Sequence, residues 1–324
     1  LPEWLVEQGI GEDRAVLLDR GEVRAARLQR HGGLVPGLVA DARLISRQAG
    51  SRRGTLRFEG GEEALVDGLL PEASEGTMLR AVVTRSAIAE IGRHKRALAK
   101  PTSAMPRPAP GLAESLRATG IAVRVVRRFP EDPWPERIAE AADGVIGFAG
   151  GTLLVSPTPA MTLIDVDGAL APAPLAMAAV PAIAAAIGRL DLNGSIGIDF
   201  PSLERREDRR ALDEALDRAL AHWPHQRTAI NGFGFVQLVS RLERPSLAAA
   251  VRHDRARARA LLLLRQAEDV TTPGDLLLTC HPRVAAAVEP TWREDLARRT
   301  GRAIRWHTDA GLALLSGFAQ AVSP

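Results

Sequence analysis

The sequence predicts a mixed α and β protein of α/β class, built from several small units, and three observations carry this. Residues 162–168 and 195–200 are apolar, β-branched runs bounded by Gly and Pro, with mostly helix-forming residues 169–189 between them. That is the strand–helix–strand spacing of a parallel crossover. Residues 37–100 hold short strand-like runs punctuated by Gly and Ser. Short strands with many turns need their edges covered, and a small closed barrel does this economically. Residues 101–111 carry Pro101, Pro106, Pro108 and Pro110, which preclude a helix and mark an extended linker.

At 324 residues the chain has room for one to three domains. A hydrophobic content of 46% supplies real cores, and 25% charged residues is ordinary. The formal charge is +3 and the isoelectric point about 9.9. Nearly all the positive charge is Arg; Lys occurs only at Lys95 and Lys100. Arg suits planar, bidentate phosphate binding, but abundant Ala, Arg, Gly and Pro with no Tyr also fits a GC-rich gene. Basicity alone therefore names no nucleic-acid partner. The single Cys280 excludes an internal disulfide and a multi-cysteine zinc site and fits a reducing, cytoplasmic location. No secretory signal pattern is visible. Residues 169–187 carry no charge, nominally enough for a membrane span. Pro172, Pro174 and Pro181 interrupt this Ala-rich run, so it reads as a soluble helix beginning near Pro174, with no membrane partner.

In chain order, residues 14–28 read as a hairpin turning at Gly21-Glu22. Strands follow at 38–45, 54–58, 63–66 and 77–85, the barrel. It ends in Arg93-His94-Lys95-Arg96 and Lys100, the densest basic cluster of the chain, which suits salt-dependent phosphate contacts. After the linker, a helix at 111–117, a strand at 121–127 and a helix at 135–141 return to complete the unit begun by residues 1–36. Arg124, Arg127 and Arg128 read as the wet face of that strand. Beyond the crossover, residues 204–220 read as a helix whose first two turns crowd Arg205, Arg206, Arg209 and Arg210. Like charges there oppose the helix dipole and are easier to understand with an anion close by. His222 and His225 read as structural. Residues 252–265 form a helix, 274–280 a strand, 290–299 a helix and 301–306 a strand, a small α/β appendage.

The chemistry sits on the crossover. A parallel crossover puts both strand ends on one side of the sheet, so Asp165 and Asp199 can meet and hold one magnesium ion, because hard cations take oxygen ligands. Asp167 shares a strand face with Asp165.

Thr162-Leu-Ile-Asp165-Val-Asp167-Gly168, Arg189-Leu-Asp-Leu-Asn-Gly194, Ile196-Gly-Ile-Asp199-Phe200, the basic helix at 205–212, residues 230–241 and Arg244-Pro-Ser-Leu247 resemble, in order and spacing, the catalytic core of the ribonuclease E/G family over residues 145–247. The resemblance implies a ribonuclease-H-like scaffold (1–36 with 112–146), an inserted oligonucleotide-binding (OB) barrel (37–100), and a catalytic α/β domain (147–247) resembling the family's DNase-I-like domain, followed by the 248–324 appendage. It implies magnesium-dependent hydrolysis of single-stranded RNA, with Asp165 and Asp199 as metal ligands. Asp167, where the family has Asn, would stand in or near the metal shell. Phe58 roughly matches a base-stacking position, and reads equally as a barrel core residue; Arg210 matches a basic position, with Arg209 beside it; Arg93, Lys95, Arg96 and Lys100 would anchor RNA on the barrel. The family's 5′-end sensor domain and paired-cysteine zinc link have no counterpart, so assembly would not pass through zinc. The alternative is a non-catalytic RNA-binding relative.

Overall fold

The computed structural model describes residues 1–90 and 92–323. The first unit is a four-stranded sheet. Strands β1 (Glu3–Gln8), β2 (Glu12–Asp19) and β3 (Glu22–Arg30) run antiparallel, turning between β2 and β3 at Arg20-Gly21.

The barrel expected over residues 37–100 is present. It comprises β4 (Val39–Arg47), β5 (Arg53–Phe58), β6 (Glu63–Asp67), β7 (Met78–Arg85), the small hairpin β8 (Ile88–Glu90) and β9 (Arg93–Lys95), and then β10 (Ala97–Pro101). The closed order is β10-β6-β5-β4-β7, with β10 parallel to β6, consistent with an OB-like element. Leu44, Leu56, Phe58, Val66, Leu69 and Val83 fill it.

The proline-rich segment runs extended and bridges Arg107 to Val39. After it come α1 (Leu112–Arg117), β11 (Ala122–Val126) and α2 (Trp134–Asp143). Strand β11 pairs parallel to β1, so the chain rejoins its first sheet. There Arg124 pairs with Glu3 at 3.0 Å.

The next sheet has six strands, ordered β12-β13-β14-β15-β17-β16. Its elements are β12 (Val145–Phe148), β13 (Gly151–Pro157), β14 (Thr162–Gly168), α3 (Pro172–Arg189), β15 (Ser195–Asp199), α4 (Arg206–Leu220), β16 (Gln226–Arg227) and β17 (Phe235–Val239). Helix α3 starts two residues earlier than the sequence suggested. Proline fits the first turn of a helix, where no N–H partner is required, so Pro172 and Pro174 both sit inside the start. Buried residues of α3 and α4 join Leu153, Val155, Ile164, Val166, Ile196, Ile198, Val236 and Leu238 in the main core. The alternation of β14 and β15 buries this set and turns Asp165, Asp167 and Asp199 to solvent. One face of the sheet is thus covered and the other open.

The chain then forms α5 (Leu247–His253), α6 (Arg255–Glu268), β18 (Asp275–Cys280), α7 (Pro282–Ala286), α8 (Pro290–Thr300), β19 (Ile304–Thr308) and β20 (Gly317–Val322). The single helix expected at 252–265 is instead the end of α5 and the body of α6. Asp254 leaves helical geometry and accepts a hydrogen bond from the Arg257 N–H at 2.9 Å, which caps α6 and breaks the run. Cys280 is buried in this unit.

A buried carboxylate ties this last unit to the first sheet. Glu7 of β1 takes a bidentate contact from Arg265 of α6 at 2.6 and 2.8 Å, and further contacts from Arg14 at 3.0 Å and Arg128 at 3.1 Å. Arg265 also reaches Asp132 at 2.7 Å. Burial pushes the Glu7 carboxyl up, but the three guanidiniums outweigh it and hold it below the ordinary value of 4.5. Glu7→Gln is expected to cost about 3–5 kcal/mol, because it leaves buried arginines uncompensated; chemical denaturation measures this. A lowered folded pKa means that Glu7 stabilises fully above about pH 4.5, and that this contribution fades as pH falls through the folded value. The acid limb of the wild-type stability curve should therefore be steeper than that of the variant.

Candidate functional site

Asp165 and Asp199 are register partners in the parallel β14–β15 ladder. Neighbouring strands lie about 4.8 Å apart and register partners share a face, so the two carboxylates stand side by side on the open face. Both are exposed, and neither makes a side-chain hydrogen bond or ion pair among the described residues. This sets them apart. Each carboxylate in the other strands, from Glu3 of β1 to Asp275 of β18, has a basic partner. Two adjacent like charges repel by about 1 kcal/mol even in bulk water, and directly opposed like charges destabilise a sheet. A shared cation would relieve this.

Asp167 lies two residues beyond the end of β15, opposite Thr152 of β13. Its Oδ1 accepts from the Gly168 N–H at 2.8 Å, and its other oxygen has no partner among the described residues. No group of three or more His, Cys, Asp or Glu side chains gathers for a metal among the described residues. Magnesium, which keeps several waters and takes one or two protein carboxylates, fits the Asp165–Asp199 pair without a third ligand.

Beside the carboxylates, β17 runs antiparallel to β15 with Phe235 opposite Asp199. The Phe235 ring lies over Gly197: a Cβ there would stand 2.9 Å from the Met161 sulfur and 3.0 Å from Leu163, and closer still to Phe235. Glycine makes room for this apolar floor. The turn before β17 carries Phe233, which is 83% exposed. Sequence reading assigned Phe233 no role, although its Gly neighbours on both sides signal a turn rather than a strand.

Most of the expected RNA-binding residues are engaged within the protein. Phe58 is only 5% exposed and belongs to the barrel core; in β5 the outward positions fall to Arg53 and Arg57, which pair with Asp67 and Glu63. The basic cluster is divided. Lys95 pairs with Glu90 at 2.5 Å, and Arg96 reaches Glu63 at 3.6 Å and Thr55 at 3.4 Å. Lys100 is exposed on β10 without a charged partner among the described residues, and the side chain of Arg93 lies outside the described residues. On α4, Arg209 donates to the carbonyls of Leu203 and Glu204, stapling the loop before the helix. Arg210 pairs with Glu214 at 3.1 Å, and Arg205 pairs with Glu207 and Asp208. For Arg205 and Arg210, the anions suggested by the crowding of arginines are thus supplied from within the helix. His225 stacks on Trp223 with ring centroids 5.0 Å apart.

The hairpin β8–β9 docks at the opposite, amino ends of β14 and β15. A cavity of about 130 Å³ lies there, lined by Glu90, Lys95, Thr162, Asn193, Ser195 and Arg252 among others. The Ser86 N–H bonds the Glu243 carbonyl at 2.9 Å beside it, so the barrel is tied to the sheet at that end.

A scan against models of known protein families and a comparison with curated proteins both give no match.

The carboxylate pair makes a direct prediction. Magnesium should raise the thermal midpoint of the wild type, by the equivalent of about 2.7 kcal/mol at a hundredfold excess over Kd. Asp199→Asn should lose most of that rise while being at least as stable as the wild type in EDTA, since the like-charge repulsion is gone. A magnesium titration followed by differential scanning calorimetry checks both.

Proposed function

We propose that this protein is a ribonuclease E/G-like endoribonuclease, which cuts single-stranded RNA by magnesium-dependent hydrolysis of a phosphodiester. One observation carries the reading: two carboxylates without a partner among the described residues, held side by side where β15 ends against β14, in a chain that pairs the carboxylates of its other strands with basic side chains. The closed OB-like barrel supports a single-stranded nucleic acid as the ligand, because barrels of this type bind oligonucleotides on their outer strands and loops. The motif resemblance over residues 145–247 supports the reaction.

In this reading Asp165 and Asp199 hold the metal. Bound magnesium would supply a Lewis acid for the phosphoryl oxygens and lower the pKa of water. Asp167 has one oxygen held by the Gly168 N–H, which leaves the other to accept a hydrogen bond from water. Lys100, and Arg210 once released from Glu214, would meet phosphates; an exposed i,i+4 pair is worth only about 0.3–0.5 kcal/mol and exchanges easily. RNA reaching from the barrel hairpin to the carboxylates would run about 10–13 Å along β14 and β15, three to four residues at about 3.3 Å each.

The test is cleavage of a fluorescent, unstructured, A/U-rich RNA in magnesium or EDTA. The expected result is magnesium-dependent cutting that falls at least a hundredfold in Asp165→Asn, as loss of several kcal/mol of transition-state stabilisation requires. Tight, salt-sensitive binding with no cutting by either form would favour the non-catalytic alternative. That alternative draws its support from Asp167, a third negative charge facing an incoming phosphate.

A further inference from the structure

We propose that Phe233 is the base-stacking platform of this site, and that its ring takes a nucleobase of the single strand next to the phosphate held at Asp165 and Asp199. The proposal rests on the RNA reading above and adds to it the residue that grips the strand. At 83% exposed, Phe233 is the most exposed Phe or Trp side chain among the described residues; Phe318 follows at 46%. A phenyl ring in water on a loose loop would be unremarkable, but this one is held in place by its backbone.

Asn231 Oδ1 accepts from the N–H groups of Phe233 at 2.9 Å and Phe235 at 3.0 Å. The Gly234 N–H bonds the Asn231 carbonyl at 3.1 Å, and Ser202 Oγ donates to the Phe233 carbonyl at 3.5 Å. The Phe200 N–H, next to Asp199, donates to the Gly234 carbonyl at 3.1 Å. Gly234 has a φ of +89°, and a Cβ there would collide with the carbonyl oxygens of Phe200 and Pro201, so only glycine allows the turn to close on the Asp199 strand. Both backbone polar groups of Phe233 are therefore fixed while its ring is free.

The position is also right. Phe235 sits opposite Asp199, and Phe233 is two residues away along the chain. Two Cα steps of about 3.8 Å and one cross-strand step of about 5 Å put its Cα within about 13 Å of that of Asp199. Because the backbone that carries the ring is already fixed, stacking a base on it costs only side-chain rotamer freedom, and every base offers a π-face, which suits a sequence-tolerant grip. The barrel, by contrast, buries Phe58 and presents no exposed Phe or Trp among the described residues.

The test uses the full chain and a fluorescent 12-nucleotide single-stranded RNA, with binding measured in EDTA and cleavage in magnesium. Phe233→Ala should raise Kd and KM about 5- to 150-fold, the range for loss of one stacked base, with kcat and the thermal midpoint nearly unchanged. Phe233→Trp should restore binding, and Phe233→Leu should not. An abasic site moved along the RNA should find one position where the wild type loses as much, and where Phe233→Ala loses nothing further. Wild-type behaviour of Phe233→Ala, or full rescue by Leu, overturns the proposal while leaving the RNA reading intact. A wild type that neither binds nor cuts the RNA overturns both.

Discussion

The parallel pairing of β14 with β15 sets Asp165 level with Asp199, and the site depends on that register. Side chains alternate along a strand, so a slip of one residue would carry Asp165 into the layer of Ile164 and Val166 and bring those side chains out to water. The main core therefore enforces the register. Parallel strands also need a long connection, and α3 provides it. At 18 residues it is about 27 Å long, enough to run back past the strands. It packs on β12, β13 and β14 and also on β3 of the first sheet. Gly188 lets it approach the β3 backbone closely, with the Arg24 carbonyl where a Cβ would stand. The helix that creates the carboxylate pair is thus clamped between two sheets.

Charge is distributed on a consistent plan. The composition is strongly arginine-biased, yet most guanidiniums whose contacts are described serve internal anions or carbonyls. Arg27 and Arg244 meet at Asp191, Arg227 bridges Asp213 and Asp217, and Arg302 holds the carbonyls of Val270, Thr272 and Gly274. The planar fork of arginine makes such multi-point contacts, which explains how a high isoelectric point coexists with few free cations. Against that background, the Asp165–Asp199 pair stands outside the pairing scheme among the described residues.

Much of the architecture was legible in the sequence because it is written in local signals. The barrel strands, the crossover and the helix after β15 all appear close to where alternation, helix formers and Gly or Pro boundaries put them. The carboxylate pair was legible for the same reason, since strand–helix–strand spacing implies a shared end. Phe58 shows the limit. Its resemblance to a stacking position pointed outward, but Leu56 two residues earlier is apolar while Arg53 and Arg57 take the other face, so the alternation itself places Phe58 inside. The basic cluster and the α4 arginines looked free because their partners, Glu90, Glu63 and the Leu203 carbonyl, become neighbours through pairing and loop geometry. Glu7 with Arg265 is 258 residues apart in sequence, and no local pattern announces it.

The placement of aromatic side chains bears on how such a protein would select its ligand. A stacking platform on the barrel would grip the strand far from the carboxylates, at the end of the sheet where the hairpin is docked. A ring at Phe233 grips it near the reacting end, on a turn whose backbone is bonded to the residue after Asp199. On the proposed reading, the base read is then a neighbour of the phosphate attacked, and movement of the barrel relative to the sheet does not alter their spacing. Preorganisation counts most where geometry is tightest, because displacement of about 1 Å at a reacting centre can cost a hundredfold in rate. Fixing the backbone that carries the aromatic ring to the strand of Asp199 through one short hydrogen-bonded turn is an economical way to keep that spacing, and it accounts for a glycine, an asparagine and a hydrogen-bonded backbone around a side chain that packs against little of its own protein.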